Sequence, residues 1–384
     1  MNKCLQTRVL FLGANNTPSG VAGYINSIVD NLSPEQFDFH AMVSQCNGGR
    51  FLSNKIHLHQ FHNEYSLHNL VARTFQLRSI FKQLNPDVIH LHTARAGFLG
   101  VLAAALLRVP IIYTGHTWRF EQKSNPISSG LFRQIERYIS TQADFVTFLT
   151  RRDMEIGIKH CLVPKNTCST INTRIGCDTA WDDIKARIVK HAESQHVPTI
   201  LNLGQLCDRK NPLLFLDIAK RIHKIRPDVR FEWLGDGAQR KAVEARAIAL
   251  GISNAVHFSG YCERLLVETK LTNSDLLLFT SKFEGVPLAI LEAKLMGLPI
   301  VASNYPGVES VVRHGIDGFV FDLNDPDVGA EKVLDLLASV QMRLKFAEEG
   351  YFFAKQEHAK PSIMANEFGD IYKRFMLINS RPVC

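Results

Sequence analysis

Leu276-Leu277-Leu278-Phe279-Thr280-Ser281-Lys282-Phe283-Glu284-Gly285-Val286-Pro287-Leu288-Ala289-Ile290-Leu291-Glu292 is the stretch on which the reading of this 384-residue chain turns. The apolar run Leu276 to Phe279 reads as a buried strand. Gly285 marks the turn behind it, and Pro287 suits the first position of a helix, where a missing N–H does no harm. Glu284 then falls in the loop at the carboxyl end of a strand, and Glu292 on the second turn of the helix. The unbonded N–H groups of that helix's first turn point to the same place and are ready for an anion. Acceptors for sugar hydroxyls beside donors for phosphate are what a nucleotide-sugar pocket needs. A lone pair of carboxylates is more often a solvated surface pair, so the reading depends on what else converges there.

A second loop does converge. The first strand of the second half runs into Gly204-Gln205-Leu206-Cys207-Asp208-Arg209-Lys210-Asn211-Pro212, with Asn211 suited to cap a helix and Pro212 to begin it. Arg209 and Lys210 are thus carried just ahead of a helix amino terminus, where side-chain charge and helix dipole add. Ligands of open α/β sheets gather at the carboxyl edge of the strands, so both loops can face one diphosphate. Two more turns at that edge, Leu234-Gly235-Asp236-Gly237 and Ser259-Gly260-Tyr261-Cys262, read either as close backbone approach to a ligand or as tight strand-to-helix turns. In the first half, Gly13 to Gly23 lacks the Gly-x-Gly-x-x-Gly spacing, which disfavours a dinucleotide-binding dehydrogenase. His116 follows the strand 111–115 at a carboxyl edge. His90 and His92 share one strand face, with no third ligand evident for a metal.

Short apolar strands alternate with longer helical patterns throughout, which predicts parallel α/β sheets. Strands are expected at 9–13, 39–44, 88–92, 111–114 and 145–150, then at 199–204, 230–234, 256–259, 276–280, 300–302 and 319–321. Helices are expected at 21–32, 67–84, 97–107 and 131–140, with the domain junction in 174–198. The expected architecture is two doubly wound domains facing across a cleft, at 1–180 and 181–362, with 363–384 as a terminal helix free to pack back on either domain, the first included. A formal net charge of +7 without dense Lys/Arg blocks argues against nucleic acid. The eight cysteines are scattered with no Cys-x-x-Cys pair, so a zinc site or disulfide framework is not expected. Residues 1–8 have no apolar stretch of the signal-peptide kind, and 96–113 is broken by Arg108 and Pro110, so a cytoplasmic protein with at most peripheral membrane contact is expected.

Taken together, these residues resemble the family-four glycosyltransferases of the GT-B fold, the retaining group that uses nucleotide-sugar donors. The likeness covers nearly the whole chain and is strongest over 201–322. The family's paired glutamates have the spacing of Glu284 and Glu292. The resemblance implies two Rossmann-like domains, acceptor-binding then donor-binding. It implies that Glu284 contacts the donor sugar's hydroxyls and that Glu292 binds the ribose. Gly285, Val286 and Leu288 offer backbone N–H groups, Pro287 having none. Lys210 with Arg209 matches the diphosphate pair, His116 the histidine near the transferred sugar, and Gly20 the amino-terminal glycine loop. Gln205 departs from a frequent arginine, Pro18-Ser19-Gly20 replaces adjacent glycines, and Asn172 to Asp178 is a loose version of a more regular segment.

Residues 88–100 and 112–120 carry a further likeness to bacterial enzymes that build capsule, exopolysaccharide or O-antigen units on a polyprenyl-diphosphate carrier. The implied reaction moves a hexosyl unit from a UDP-sugar to a lipid-linked saccharide with retention. His116, Lys210 and Glu284 form its catalytic group, and no cofactor and no metal is expected. The implied location is the cytoplasm, at the inner face of the membrane. A nucleotide-sugar epimerase or hydrolase on the same fold, and a non-catalytic nucleotide-sugar-binding subunit, are the competing readings.

Overall fold

The computed structural model describes residues 6–13, 19–43, 52–61, 69–121, 126–176 and 179–379. The chain divides into two compact units, residues 1–176 with 360–384, and residues 177–359.

Unit 1 is built on seven parallel strands: β1 (Thr7–Leu12), β2 (Phe37–Val43), β3 (Ile56–Gln60), β4 (Val88–His92), β5 (Ile111–Gly115), β6 (Phe145–Phe148) and β7 (Cys168–Thr170). Their spatial order is β3-β2-β1-β4-β5-β6-β7. Helices α1 (Gly20–Val29), α2 (Leu70–Leu84), α3 (Ala94–Ala104), α4 (Pro126–Gln142) and α5 (Arg151–Lys159) connect them. Every residue of β4 and β5 is buried, as expected of parallel strands covered on both faces. Gly13 ends β1 with φ +90, and a Cβ there would lie 2.0 Å from the His92 carbonyl oxygen. Only glycine lets β1 and β4 end side by side, which is where the strand order reverses.

Unit 2 has six parallel strands: β8 (Thr199–Leu203), β9 (Arg230–Leu234), β10 (Val256–Gly260), β11 (Leu276–Phe279), β12 (Ile300–Ser303) and β13 (Gly318–Phe321), in the order β10-β9-β8-β11-β12-β13. Its helices are α6 (Trp181–Glu193), α7 (Pro212–Ile225), α8 (Arg240–Ala249), α9 (Arg264–Thr272), α10 (Leu288–Leu295), α11 (Pro326–Ala338) and α12 (Val340–Glu357). Ile200, Phe231, Trp233, Leu276, Leu278 and Val301 pack with α7, α8 and α11 in one core. The alternating residues Leu201, Leu277, Phe279 and Ile300 belong to the opposite face and are equally buried. A last helix, α13 (Pro361–Asn379), packs on α1, β1 and β4 of unit 1.

Each predicted strand is present within a residue or two of its expected limits. Strands β3 and β7 were not expected. β3 is a polar edge strand, Ile-His-Leu-His-Gln, and β7 is only three residues long, so neither carries an apolar run. The junction stretch holds helix α6, whose buried stripe is only Ile184 and Ile188. Among the described residues no helix is long and apolar enough to cross a membrane. Cys161, Cys207 and Cys262 are free thiols. Cys4, Cys46, Cys177 and Cys384, with Ala14 to Pro18 of the glycine loop, lie outside the described residues.

Candidate functional site

In unit 2 the strand order reverses between β8 and β11, because the chain leaves β8 for β9 and β10 on one side and returns to β11 on the other. The crevice outside the carboxyl ends of such a strand pair is the usual ligand position in an open α/β sheet. The two loops singled out in the sequence are the ones that follow these two strands.

They are laced together. Lys210 Nζ lies 2.7 Å from Glu284 Oε1, and Arg209 Nη1 donates to Glu284 Oε2. Ser281 Oγ donates to Glu284 Oε1 at 2.8 Å. Lys282 N donates to the Arg209 carbonyl at 2.8 Å, its Nζ pairs with Asp208 at 2.5 Å, and Thr280 Oγ1 donates to the Lys210 carbonyl at 3.0 Å. Lys210 is 8% exposed, with its ammonium 4.7 Å from the centre of the Phe279 ring. Its stem fits because position 204 is glycine: a Cβ there would sit 2.8 Å from Lys210 Cε. Burial alone would push the Glu284 carboxyl up. The charges of Lys210 and Arg209, with hydrogen bonds from Lys210 and Ser281, outweigh burial and hold it below the usual carboxylate range. The result is an ionised, nearly enclosed carboxylate clamped between two cations at the switch point.

Pro287 is the residue before α10 rather than its first, because the helix begins at Leu288. The Pro287 carbonyl already accepts from Ile290 and Leu291 N–H, which leaves the N–H groups of Leu288 and Ala289 without intrahelical acceptors. Gly285 and Val286 are half-buried in the connecting loop. Glu292 is on the second turn, as expected, where Arg264 Nη1 donates to its Oε1. Burial raises the Glu292 carboxyl, and Arg264 only partly offsets that. Arg264, at the start of α9, was not legible as a partner from spacing alone. Asn211 precedes α7 and Pro212 begins it, but Asn211 is left-handed at φ +50 and its side chain does not cap. It closes the 3-10 turn 208–210 instead, a conformation asparagine tolerates. Gln205 is exposed.

The glycine turn after β9 has a structural cause. A Cβ on Gly235 would lie 2.1 Å from the Gly204 carbonyl oxygen, and one on Gly237 would lie 2.4 Å from that of Leu206. The tight-turn reading therefore accounts for these glycines without a ligand.

In unit 1 the strand-face histidines gain a third neighbour. His92 Nδ1 and His116 Nε2 are 2.9 Å apart, so one donates to the other. Both nitrogens of His90 are engaged, Nδ1 with Tyr372 Oη at 2.7 Å and Nε2 with Thr114 Oγ1 at 2.6 Å, which leaves His90 unable to ligate a metal. Gly20 opens α1 in open space, and the exposed turn is capped by Ser19 Oγ, which accepts from Ala22 N–H. Burial pushes His90 down to about 3 and His116 to about 4, and drives His92 well below its ordinary value with His90 and His116 adding to it. All three imidazoles are neutral at neutral pH.

The unfolded chain takes up protons on such rings near pH ~6.5, while the fold resists until far lower, so acid favours unfolding. Their contribution to stability is complete above that pH and is lost as pH falls toward the folded values. Thermal melts are expected to show Tm declining from about pH 6.5 to about pH 5, above the range where most carboxylates titrate. A flat Tm across that interval would mean that the rings take up protons as readily in the fold as in the unfolded chain.

Comparison with known proteins agrees with this geometry. The family model described as Glycosyl transferases group 1 matches residues 183–352, and that described as Glycosyltransferase Family 4 matches residues 18–178. The UDP-Gal:alpha-D-GlcNAc-diphosphoundecaprenol alpha-1,3-galactosyltransferase of Escherichia coli is 29% identical over 290 residues, covering 70% of this chain and 74% of that enzyme. The crystal structure of Anabaena HepE in complex with UDP-glucose superposes with a TM-score of 0.76 at 19% identity, covering 96% of this chain and all of HepE. Sucrose-phosphate synthase from Thermosynechococcus elongatus has the same TM-score, 0.76, at 13% identity over 97% of this chain and all of that one. With two Rossmann-like parallel-sheet units and family models that together run from residue 18 to residue 352, the chain belongs to the family-four glycosyltransferases of the GT-B fold.

Proposed function

We propose that this glycosyltransferase moves a hexosyl unit from a UDP-sugar to a hydroxyl of a lipid-linked saccharide, with retention, in the building of a bacterial surface polysaccharide. The observation that carries the reading is the Lys210–Glu284–Arg209 cluster at the switch point of the second sheet. The Escherichia coli relative, named for a UDP-galactose donor and a diphosphoundecaprenol-linked acceptor, supports both substrate classes. HepE, solved with UDP-glucose, supports the donor class.

In this reading the diphosphate competes with Glu284 for Lys210 and Arg209. As the phosphate oxygens take those donors, the carboxylate lone pairs come free for the sugar's hydroxyls. Glu292 takes the ribose diol, and N–H groups from Gly285, Val286 and Leu288 complete the anion site. Neutral His116 is assigned to the transferred sugar, and Gly20 to the glycine loop of unit 1. The bond from the anomeric carbon to the β-phosphate oxygen breaks while the acceptor oxygen attacks on the same face. The acceptor's proton passes to the departing phosphate. Charge growing on UDP is met by Lys210, Arg209 and the start of α10, so no metal is required for the transfer.

Unit 1 also offers a surface suited to the carrier's membrane. Val71 and Phe75 on α2 are 69% and 63% exposed, and Ile127 and Leu131 on α4 are 82% and 61% exposed. Arg78 and Lys82, then Arg133 and Arg137, stand on the same two helices, and both helices pack on α3. Apolar side chains among basic ones are what peripheral contact with an anionic bilayer uses.

Radiolabelled nucleotide sugars incubated with membrane lipid extract test the reading. Label from one UDP-sugar is expected in the lipid fraction, with unchanged anomeric configuration and with turnover insensitive to chelator. Release of free or rearranged sugar would favour a hydrolase or an epimerase, and UDP binding without turnover a binding subunit. The protein is also expected to sediment with anionic but not neutral vesicles. Retained sedimentation after neutralising Arg133 and Arg137 would remove the membrane contact from the reading.

A further inference from the structure

A second cluster of chemically active side chains lies at the opposite edge of the same two central strands. His191 is on the last turn of α6, His196 is three residues before β8, and Asp275 immediately precedes β11. The two imidazole rings stack with centroids 3.8 Å apart and planes 15° from parallel. Both turn a nitrogen toward the same carboxylate: His196 Nε2 is 2.9 Å from Asp275 Oδ2, and His191 Nδ1 is 3.8 Å from Oδ1. The second distance is too long for a hydrogen bond. One ligand atom from each residue falls within a sphere of contact no wider than 4.8 Å. The carboxylate itself is held by the backbone, since Thr199 N donates to Oδ2 at 2.8 Å and Asp275 N donates to the Thr199 carbonyl at 2.9 Å. Side-chain exposures of 15%, 20% and 7% leave the imidazoles reachable and the carboxylate nearly enclosed.

We infer that His191, His196 and Asp275 form a binding site for a divalent transition metal of the zinc type, with a water completing a tetrahedron. Bonds of about 2.0–2.2 Å to nitrogen and oxygen set tetrahedral ligand atoms roughly 3.3 Å apart. The imidazole nitrogens lie 2.9 and 3.8 Å from different oxygens of Asp275, and one ligand atom from each of the three residues lies within 4.8 Å of the others. Closing the set draws ligand atoms together by up to about 1.5 Å and turns the stacked rings so that both in-plane lone pairs reach the metal. Two imidazoles and one carboxylate select Zn²⁺, Co²⁺ or Ni²⁺ over Mg²⁺ and Ca²⁺, which need more oxygen ligands. Arg187 and Arg343 act electrostatically on Asp275 and oppose a dication. The site is therefore weaker than a closed structural zinc cage.

Its consequence is mechanical. The metal ties the end of α6 and the entry to β8 to the entry of β11, at the strand edge away from Lys210 and Glu284. It strengthens unit 2 and takes no part in transfer.

The test is calorimetric titration of chelator-stripped full-length protein with Zn²⁺, repeated with Co²⁺ read by the visible absorption of a tetrahedral complex. One equivalent is expected to bind, and saturating Zn²⁺ is expected to raise Tm by about 5 °C. His191→Phe keeps a ring in the stack, and Asp275→Asn keeps an acceptor for Thr199 N–H, so both are expected to fold by circular dichroism. Each of these, and His196→Ala, is expected to weaken binding at least about 30-fold, in line with the loss of a ligand. No binding at this stoichiometry, or binding that survives all three substitutions, overturns the inference. Turnover of the stripped protein separates it from the proposed transfer reaction, which is expected to proceed without the metal.

Discussion

Lys210→Ala is expected to lower transfer by about three orders of magnitude, to the limit of most assays. Two losses combine. The diphosphate loses the cation nearest the enclosed end of its site, and Glu284 keeps a buried negative charge with Arg209 and Ser281 as its remaining partners. Removing one member of a buried pair typically costs ~3 kcal/mol or more, so unit 2 should also melt earlier. A second variant separates the two effects. Lys210→Met with Glu284→Gln removes both charges at once and is expected to recover most of the lost stability while activity stays absent. Measuring kcat/KM beside Tm for wild type, both single variants and the pair decides the matter. Near-normal incorporation by Lys210→Ala or by Glu284→Gln would disprove the site assignment. The expected split follows from the geometry: stability depends on charge balance inside the cluster, and turnover depends on the cations themselves.

The largest expected effect on stability alone comes from Lys294→Met. Lys294 and Asp317 are both completely buried, with Nζ and Oδ1 2.8 Å apart. Burial pushes the Lys294 ammonium down to about 8, with Asp317 pulling the other way. Asp317 also receives Arg313 Nε at 2.6 Å and Arg313 N at 2.9 Å. The ring of Phe353 on α12 lies 4.8 Å from Lys294 Nζ and 5.0 Å from the Arg313 guanidinium. The substitution leaves a carboxylate in the interior with one cation gone, at a cost of roughly 3–5 kcal/mol. For a unit of this size that corresponds to a Tm lower by about 10 °C. Lys294→Met with Asp317→Asn is expected to regain much of it. If Lys294→Met melted within about 2 °C of wild type, the pair would not be bracing α10. The bracing bears on the donor site because α10 also carries Glu292 and the Leu288 N–H assigned to the anion.

What was legible in the chain follows from how each feature is encoded. The central strands are fully buried parallel strands, so they appear as unbroken apolar runs such as Leu276 to Phe279. The loops at their carboxyl ends could be placed because proline and glycine punctuate them. Lys210, Arg209 and Glu284 were therefore readable as neighbours at one sheet edge, although some seventy positions separate them. The edge strand β3 has the period-two alternation of a half-buried strand but no unbroken apolar run, so apolar runs alone do not mark it. Arg264 meets Glu292, and Asp317 meets Lys294, on another element, at separations that no local pattern records. The glycines of the β9 turn, equally compatible with a ligand and with a neighbouring backbone, needed coordinates to distinguish the two. His116 was placed by its strand end, but its contact with His92 depends on two strands lying side by side.

The hydrogen bond between Tyr372 and His90 joins residues 282 positions apart, and Phe368 lies against the same imidazole. On a translating ribosome the first sheet emerges early, but the helix that covers the His90 face is made only after the whole of unit 2. Until then that face is an open apolar surface with an unsatisfied imidazole nitrogen, the kind of exposure that chaperones bind. The amino-terminal unit is thus begun first and finished last, and its maturation waits on the complete synthesis of its neighbour.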